Sequence, residues 1–545
     1  MKVVIVGGVA GGATAAARIR RMSESAEITL IERGPYVSFA NCGLPYFISG
    51  DISKRSQLLL QTPEGFDARY RVNAMLRTEA VEIDRPGKRI KVVSADGERW
   101  IEYDKLLLAQ GGNPILPPLP GIDAPHVFKL WTVPDMDRIH TYIQKEQPKT
   151  AIVAGGGFIG LEMAEAFHAR GINTTVVELA GQVMAHMDKE FGAMIKETLI
   201  HHGIGVETGV GIASVNAESR EVSLSDGRKL PADMVLFSVG VRPELTLAKQ
   251  AGLAIGTSGG VLVDEHLQTS DPDIYAAGDM TEVLQKISGR RIRVPLAGPA
   301  NRQGRIAATN LMGGTMKYNG ATGTSVVKVL DHTAAVTGLT EKAAKEAGIA
   351  FGTVTIHKDH HANYYPGAKL LTLKLVYEKE TMKVLGGQAF GAEGVDKRID
   401  VLATALEGHL SVHELAELDL AYAPPFSSAN DPINMVAFVA ENAESGYSPV
   451  VTPAELFQRY ARESAMILDV RNLNEFAHGH LDDAVNIPVD ELRYRLDEVP
   501  RDKDIFVHCK VGFRGHLATR TLLENGFDRV WNVTGGWLSI QWHLN

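Results

Sequence analysis

Cysteine is the scarcest reactive residue in this chain: there are two, Cys42 and Cys509, in 545 residues. A secreted disulfide framework is excluded, and so is any metal site made of cysteines alone. No stretch approaches the roughly 20 apolar residues a membrane span requires. Long basic runs are missing too, and the net charge is −9, so neither a membrane nor a nucleic acid is an expected partner. The opening MKVVIVGGVAGG breaks into glycines and runs on into helix-forming sequence, unlike a cleavable signal. A cytoplasmic protein is the expectation. With 45% hydrophobic and 22% charged residues, wholesale disorder is excluded as well. At roughly 100–200 residues per domain, the length implies three to five structural units.

Glycine, by contrast, is abundant at 54 residues, and it clusters. The apolar strand Val3–Val6 runs into Gly7-Gly8-Val9-Ala10-Gly11-Gly12, a helical pattern Ala13–Met22, and a second strand Glu27–Ile31 ending in Glu32. Such a unit offers free N–H groups at a helix start to a pyrophosphate and an acid to ribose hydroxyls. Val9 departs from the usual fingerprint by standing where a second glycine is expected. The design recurs as the strand Thr150–Ala154, the turn Gly155-Gly156-Gly157-Phe158-Ile159-Gly160, a helix to about Arg170, and a strand Asn173–Val177 ending in Glu178. Here Gly155, Gly157 and Gly160 fit the pattern fully. Two bound dinucleotides are implied. Glu178 would accept from a free 2′-hydroxyl and repel a 2′-phosphate. The next ten residues hold no Lys or Arg, so NADH is favoured over NADPH.

Two later segments, Tyr103–Pro114 (YDKLLLAQGGNP) and Thr269–Asp279 (TSDPDIYAAGD), resemble the further FAD motifs of the two-dinucleotide flavoprotein oxidoreductases. That resemblance assigns the first glycine turn to FAD and the second to the nicotinamide cofactor. For FAD it implies Gly7, Val9, Ala10, Gly11 and Gly12, then Glu32, Arg33, Asn41 and Val81, then Ala109, Gly111, Asp279 and Ala297, with Asp279 at the ribityl chain. For the nicotinamide cofactor it implies Gly155, Gly157, Phe158, Ile159, Gly160 and Glu178.

Cys42 lies in Ser38-Phe39-Ala40-Asn41-Cys42-Gly43-Leu44-Pro45-Tyr46. Disulfide reductases of this class carry a second cysteine five positions away, where this chain has Val37 and Phe47. A lone thiol beside a flavin is reoxidised by the substrate's own sulfur or by oxygen chemistry. With His361–Gly367 (HANYYPG) and Ala421–Phe426 (AYAPPF), this segment resembles coenzyme A disulfide reductases over about 1–440. The resemblance implies a homodimer in which Tyr364 and Tyr422 approach the thiol of the other subunit. It also places Arg18, Arg21, Ser38 and Asn41 along bound coenzyme A.

The C-terminal part reads Leu468-Asp469-Val470-Arg471, Glu475-Phe476, then a strand Asp504–His508 delivering Cys509-Lys510-Val511-Gly512-Phe513-Arg514 into a helix. A cysteine between a strand end and a helix start sits among backbone N–H groups that favour a thiolate, and Arg514 adds a positive charge. Four residues separate Cys509 from Arg514, one fewer than a cysteine-dependent phosphatase needs. The segment resembles rhodanese domains over 452–545.

The expected architecture is α/β: FAD-binding parts at 1–115 and 246–325, an NAD domain at 116–245, an α+β dimerisation domain at 326–441, a linker at 442–451, and an α/β rhodanese domain at 452–545. The expected activity is NADH-dependent reduction of sulfane sulfur (coenzyme A persulfide or polysulfide) and of coenzyme A disulfide through Cys42, with sulfur loaded or relayed by Cys509. The alternatives are a coenzyme A disulfide reductase with an accessory rhodanese, and an NADH oxidase or peroxidase cycling through a cysteine sulfenic acid.

Overall fold

The computed structural model describes residues 1–544. They form two compact units, one of 1–181 with 203–323, the other of 182–202 with the chain from 324 onward.

The first unit holds two five-stranded parallel sheets. In one, the order is Ile274–Ala276, Lys105–Leu108, Lys2–Val6, Glu27–Ile31, Val72–Met75. Val3, Val4, Ile5 and Leu106–Leu108 are all buried, as continuous apolar runs are when a parallel sheet is covered on both faces. Gly7 ends the central strand at φ +102, and a Cβ there would lie 2.2 Å from the Ala109 carbonyl oxygen. Only glycine makes this turn. The helix that follows spans Ala10–Met22, one turn earlier than the apolar pattern indicates, because the glycine turn is already complete at Val9. The second sheet repeats the plan in the order Gly205–Thr208, Asn173–Glu178, Thr150–Ala154, Met234–Phe237, Val127–Phe128. Its helix is Phe158–Ala169.

The second unit combines a five-stranded antiparallel sheet with a five-stranded parallel one. The antiparallel order is Ser325–Val329, His332–Gly338, Val384–Gly391, Leu370–Glu378, Phe351–Asp359. The helix Lys189–His201 groups with this unit. Lys374 supplies a reason. Its ammonium is buried and pairs with Asp188 at 2.9 Å, Glu190 at 2.5 Å and Glu341 at 3.0 Å. A buried cation needs such partners.

The expected linker is shorter than its composition suggests. Asp431 caps the helix Pro432–Glu444, which buries Val436, Ala437 and Ala440, while Val450–Val451 already pairs with Asn532 and Val533. Only 445–449 remain irregular. The C-terminal sheet runs Val450–Val451, Val530–Val533, Asp504–His508, Ala465–Asp469, Ala484–Asn486. It is tied to the antiparallel sheet by side chains. Thr534 Oγ1 donates to the Thr355 carbonyl at 2.9 Å and accepts from the Thr355 amide at 2.8 Å. His357 Nε2 meets Ser539 Oγ at 2.9 Å, and Lys189 Nζ donates to the His543 carbonyl at 3.0 Å. Among the described residues, no helix is long and apolar enough to cross a membrane, and no cluster of three or more His, Cys, Asp or Glu could hold a metal ion.

Candidate active site

In the first unit, Cys42 is exposed within a short turn, Asn41–Gly43, that leads into the helix Leu44–Ser49. The turn is anchored at Ser38, whose amide donates to the Gly8 carbonyl at 2.7 Å and whose carbonyl accepts from Leu60 at 2.9 Å. Ser38 takes a left-handed φ of 48°, a conformation that costs a non-glycine residue about 1 kcal/mol. The thiol lies 3.8 Å from Asn41 Oδ1. Its pKa is pushed up, first by the surrounding protein's low polarity and then by the carboxylates of Glu162 and Asp279. The chain around Cys42 therefore opposes its thiolate. Val37 is buried, Phe47 packs on His140, and the other free cysteine is Cys509.

Glu162 is a site group that sequence reasoning left without a role. It lies one helical turn beyond Phe158, and the fold packs its helix against Leu44–Ser49. Burial raises its carboxyl to about 7, and Tyr46 donates to it at 3.3 Å. No local spacing in the sequence marks it, because its surroundings come from the packing of Leu44–Ser49 against that helix.

The two dinucleotide turns share a device. Glu32 accepts from Gly8 at 2.9 Å and from Gly34 at 2.7 Å; Glu178 accepts from Gly156 and from Ala180, both at 2.7 Å. Each strand-end acid is thereby fixed beside its glycine turn. Neither Ala10–Met22 nor Phe158–Ala169 has a side-chain cap, so their first amides are open to phosphate oxygens. At Gly111 and Gly157 nothing lies within 4 Å of where a Cβ would stand, leaving room for a ligand beside the backbone. Asp279 makes no hydrogen bond among the described residues, and burial raises its carboxyl to about 6. Gln110 Oε1 is likewise buried without a partner. A ribityl chain and isoalloxazine edge would satisfy such groups, so the residues fit FAD. Ala297 opens the uncapped helix Ala297–Leu311, and Val81 lies in the strand Glu79–Asp84. Arg33 bonds Asn113 at 2.5 Å and lies 3.7 Å from Glu244.

Of the expected coenzyme A cations, Arg21 is exposed, while Arg18 is half-buried with Nε on Thr309 Oγ1 at 3.2 Å. Between them, Arg20 is buried and spends its guanidinium on the carbonyls of Tyr70, Ser23, Glu24, Ala26 and Arg71, a purely structural use.

In the second unit, Tyr364 and Tyr422 meet: their phenol oxygens are 2.9 Å apart although both rings are largely exposed, at 72% and 48%. That hydrogen bond raises the Tyr364 pKa. The Tyr365 ring instead packs edge-on against the His361 ring, centroids 5.7 Å apart.

Cys509 is buried at the mouth of the helix Phe513–Glu524 and accepts from the Gly512 amide at 3.1 Å. Gly512 sits at φ +98, and a Cβ on Gly536 would fall 2.4 Å from the Cys509 carbonyl, so glycines let two loops close over the cysteine. Arg514 does not stand as a bare positive charge. It forms a two-pronged ion pair with Glu475, both bonds 2.7 Å, and Cys509 lends a smaller share to the field that keeps it charged.

Residues 1–304 match the family described as pyridine nucleotide-disulphide oxidoreductase, residues 324–432 match the dimerisation domain of that family, and residues 452–542 match a rhodanese-like domain. The chain belongs to the pyridine nucleotide-disulphide oxidoreductases, a family of FAD- and NAD-dependent enzymes, and carries a rhodanese-like domain at its C-terminal end. Among its relatives is the NAD(P)H sulfur oxidoreductase (CoA-dependent) of Pyrococcus abyssi, 37% identical over 439 residues, or 80% of this chain and 97% of that one. Among solved structures, the reduced Bacillus anthracis CoADR-RHD is 44% identical, with a TM-score of 0.97 over 100% of this chain and 98% of its own. The NAD-dependent persulfide reductase from A. fulgidus is 38% identical, with a TM-score of 0.93 over 99% and 100%.

Proposed function

We propose that this chain is an NADH-dependent reductase of sulfane sulfur, acting on coenzyme A persulfide, polysulfide and coenzyme A disulfide, and working as a homodimer. The observation that carries the reading is the union in one chain of a lone thiol on a two-dinucleotide oxidoreductase body with a second cysteine in a rhodanese-like loop. The relatives named for sulfur, persulfide and coenzyme A support it.

The chemistry FAD supplies when bound is to accept hydride from NADH and to pass two electrons to sulfur. The protein does the rest. The Cys42 thiolate attacks the S–S bond of the substrate; a new S–S bond to Cys42 forms as the old one breaks, and coenzyme A thiolate or hydrosulfide leaves. Two electrons then cleave the bond at Cys42, and the departing sulfur takes a proton from the tyrosine pair. The net change is CoA–SSH + NADH + H⁺ → CoA–SH + H₂S + NAD⁺. Tyr364 and Tyr422 share one hydrogen bond, so the phenol that accepts from its neighbour is the better donor outward. Arg18 and Arg21 would hold coenzyme A phosphates, with Ser38 and Asn41 along the pantetheine. Cys509 would take sulfane sulfur from a donor as a persulfide.

The test is anaerobic NADH oxidation with a panel of sulfur acceptors. Coenzyme A persulfide and polysulfide should turn over faster than coenzyme A disulfide. Rapid oxygen-dependent NADH consumption without any sulfur substrate would instead make the chain an oxidase, and preference for the disulfide would leave the rhodanese-like domain an accessory.

A further inference from the structure

The phenol pair is built on two irregular loops, and irregular loops do not hold two exposed rings at hydrogen-bond distance by themselves. Tyr364 lies between the strands Phe351–Asp359 and Leu370–Glu378, and Tyr422 lies between the helices Val412–Ala416 and Pro432–Glu444. Besides the phenol pair, a backbone hydrogen bond joins the loops, the Ala362 amide donating to the Ser427 carbonyl at 3.0 Å.

Beneath both loops lies Arg398, 1% exposed, on the helix Val395–Glu407. Its Nη2 donates to the His360 carbonyl of the first loop at 2.7 Å. The same nitrogen lies 3.4 Å from Ser427 Oγ of the second loop. The guanidinium also grips Asp431, at 3.2 Å through Nε and 2.8 Å through Nη2. Asp431 in turn accepts from Ser427 Oγ at 2.5 Å and caps the helix after the second loop through the Ile433 amide at 3.0 Å. One planar fork thus reads both loops and the helix start at once. Lysine could not, because an ammonium is a point charge without the fixed geometry of the guanidinium. Burying this ion pair stabilises the fold little in itself, since desolvation offsets most of the attraction. Its strength is positional.

We propose that Arg398, held by Asp431, is a positioning residue for the proton-donating tyrosines: it sets the separation of the two loops at which Tyr364 and Tyr422 share their hydrogen bond. This rests on the reading of those tyrosines given above. The substitution to make is Arg398→Lys, which keeps the charge and removes the fork. Should it fail to fold, Ser427→Ala removes one strut of the same clamp and serves in its place.

Two measurements separate positioning from general support. The first compares the rate at which coenzyme A persulfide reoxidises the NADH-reduced enzyme in wild type, Arg398→Lys, Tyr364→Phe and the double variant. Arg398→Lys should slow reoxidation about as much as Tyr364→Phe, the double variant should lose no more than either, and reduction by NADH should be unchanged. Multiplying losses, or reoxidation at the wild-type rate in Arg398→Lys, would overturn the inference. The second needs no turnover. With 3-fluorotyrosine at 364, the ¹⁹F signal should move on Tyr422→Phe in the wild-type background and stay put on the same change in the Arg398→Lys background. An equal movement in both overturns the positioning role. If Tyr364→Phe itself leaves reoxidation untouched, the functional reading of the tyrosines falls, and the fluorine experiment still decides whether Arg398 sets the pair.

Discussion

Cys42 and Glu162 are coupled through charge. Glu162 titrates near 7, raised by burial, and its carboxylate lifts the Cys42 thiol. Below pH 7 the Glu162 carboxyl is mostly neutral and this push is absent; above it, the negative charge appears and holds the thiol protonated. Replacing Glu162 by Gln should therefore speed alkylation of Cys42 by iodoacetamide at pH 8, on the order of threefold, and change nothing at pH 6. A threefold gain at both pH values would mean that access, not charge, had changed. Substituting Cys42 itself has a different signature. Cys42→Ser should abolish turnover with every sulfur acceptor while reduction of the flavin by NADH survives. Parallel loss of flavin reduction would show that the serine had damaged the nucleotide sites. Cys42 was recognisable from the chain alone because its missing partner at Val37 and Phe47 is a matter of local spacing. Glu162 was not, because its role depends on burial and on Tyr46, 116 residues away in sequence.

The elements of the second unit decide whether the rhodanese-like domain swings or stays. A polar, proline-bearing stretch at 442–451 suggests a mobile tether. The helix Pro432–Glu444 consumes its start and the strand Val450–Val451 its end, and the Thr355–Thr534 exchange seats the domain edge on the antiparallel sheet. Thr534→Val removes both of these hydrogen bonds and leaves the Thr355 amide unpaired, a loss of about 2 kcal/mol. The expected result is faster proteolysis within 445–449 and faster hydrogen exchange at Thr355; unchanged rates at both would show that the domain is held elsewhere. His357 adds a pH dependence. Burial lowers it to about 4, whereas a released, solvated histidine titrates near 6.5. The released state binds more protons across that window, so docking should weaken as pH falls from 6.5 toward 4 and be constant above.

At the scale of the whole molecule, the question is how the two cysteines divide the work. Cys509 is buried in its loop, with Arg514 neutralised by Glu475, a setting suited to holding one small sulfur species. If it loads sulfur for Cys42, Cys509→Ser should retain most reduction of coenzyme A persulfide and lose far more with a polymeric donor. Wild type and variant measured on both donors give the answer: equal fractional loss on the two, or none on either, removes the relay.

Several features were determined by the sequence alone: the paired strand–glycine turn–helix–strand units, the acids Glu32 and Glu178, the unpartnered Cys42, and the strand-to-helix placement of Cys509. Each depends on what one short segment must do. A strand that turns sharply into a helix needs Gly7 or Gly155, and an acid about twenty residues on lands beside that turn because strand and helix lengths are narrow. Tertiary structure alone decided the rest. Tyr364 and Tyr422 are 58 residues apart, Arg514 and Glu475 are 39 apart, and Thr355 and Thr534 are 179 apart. The helix Lys189–His201 joined the second unit around a lysine far along the chain. No periodicity or local spacing encodes which distant loops cross. That is settled by packing and by the need of buried charges such as Lys374 and Arg398 to find partners wherever the chain brings them.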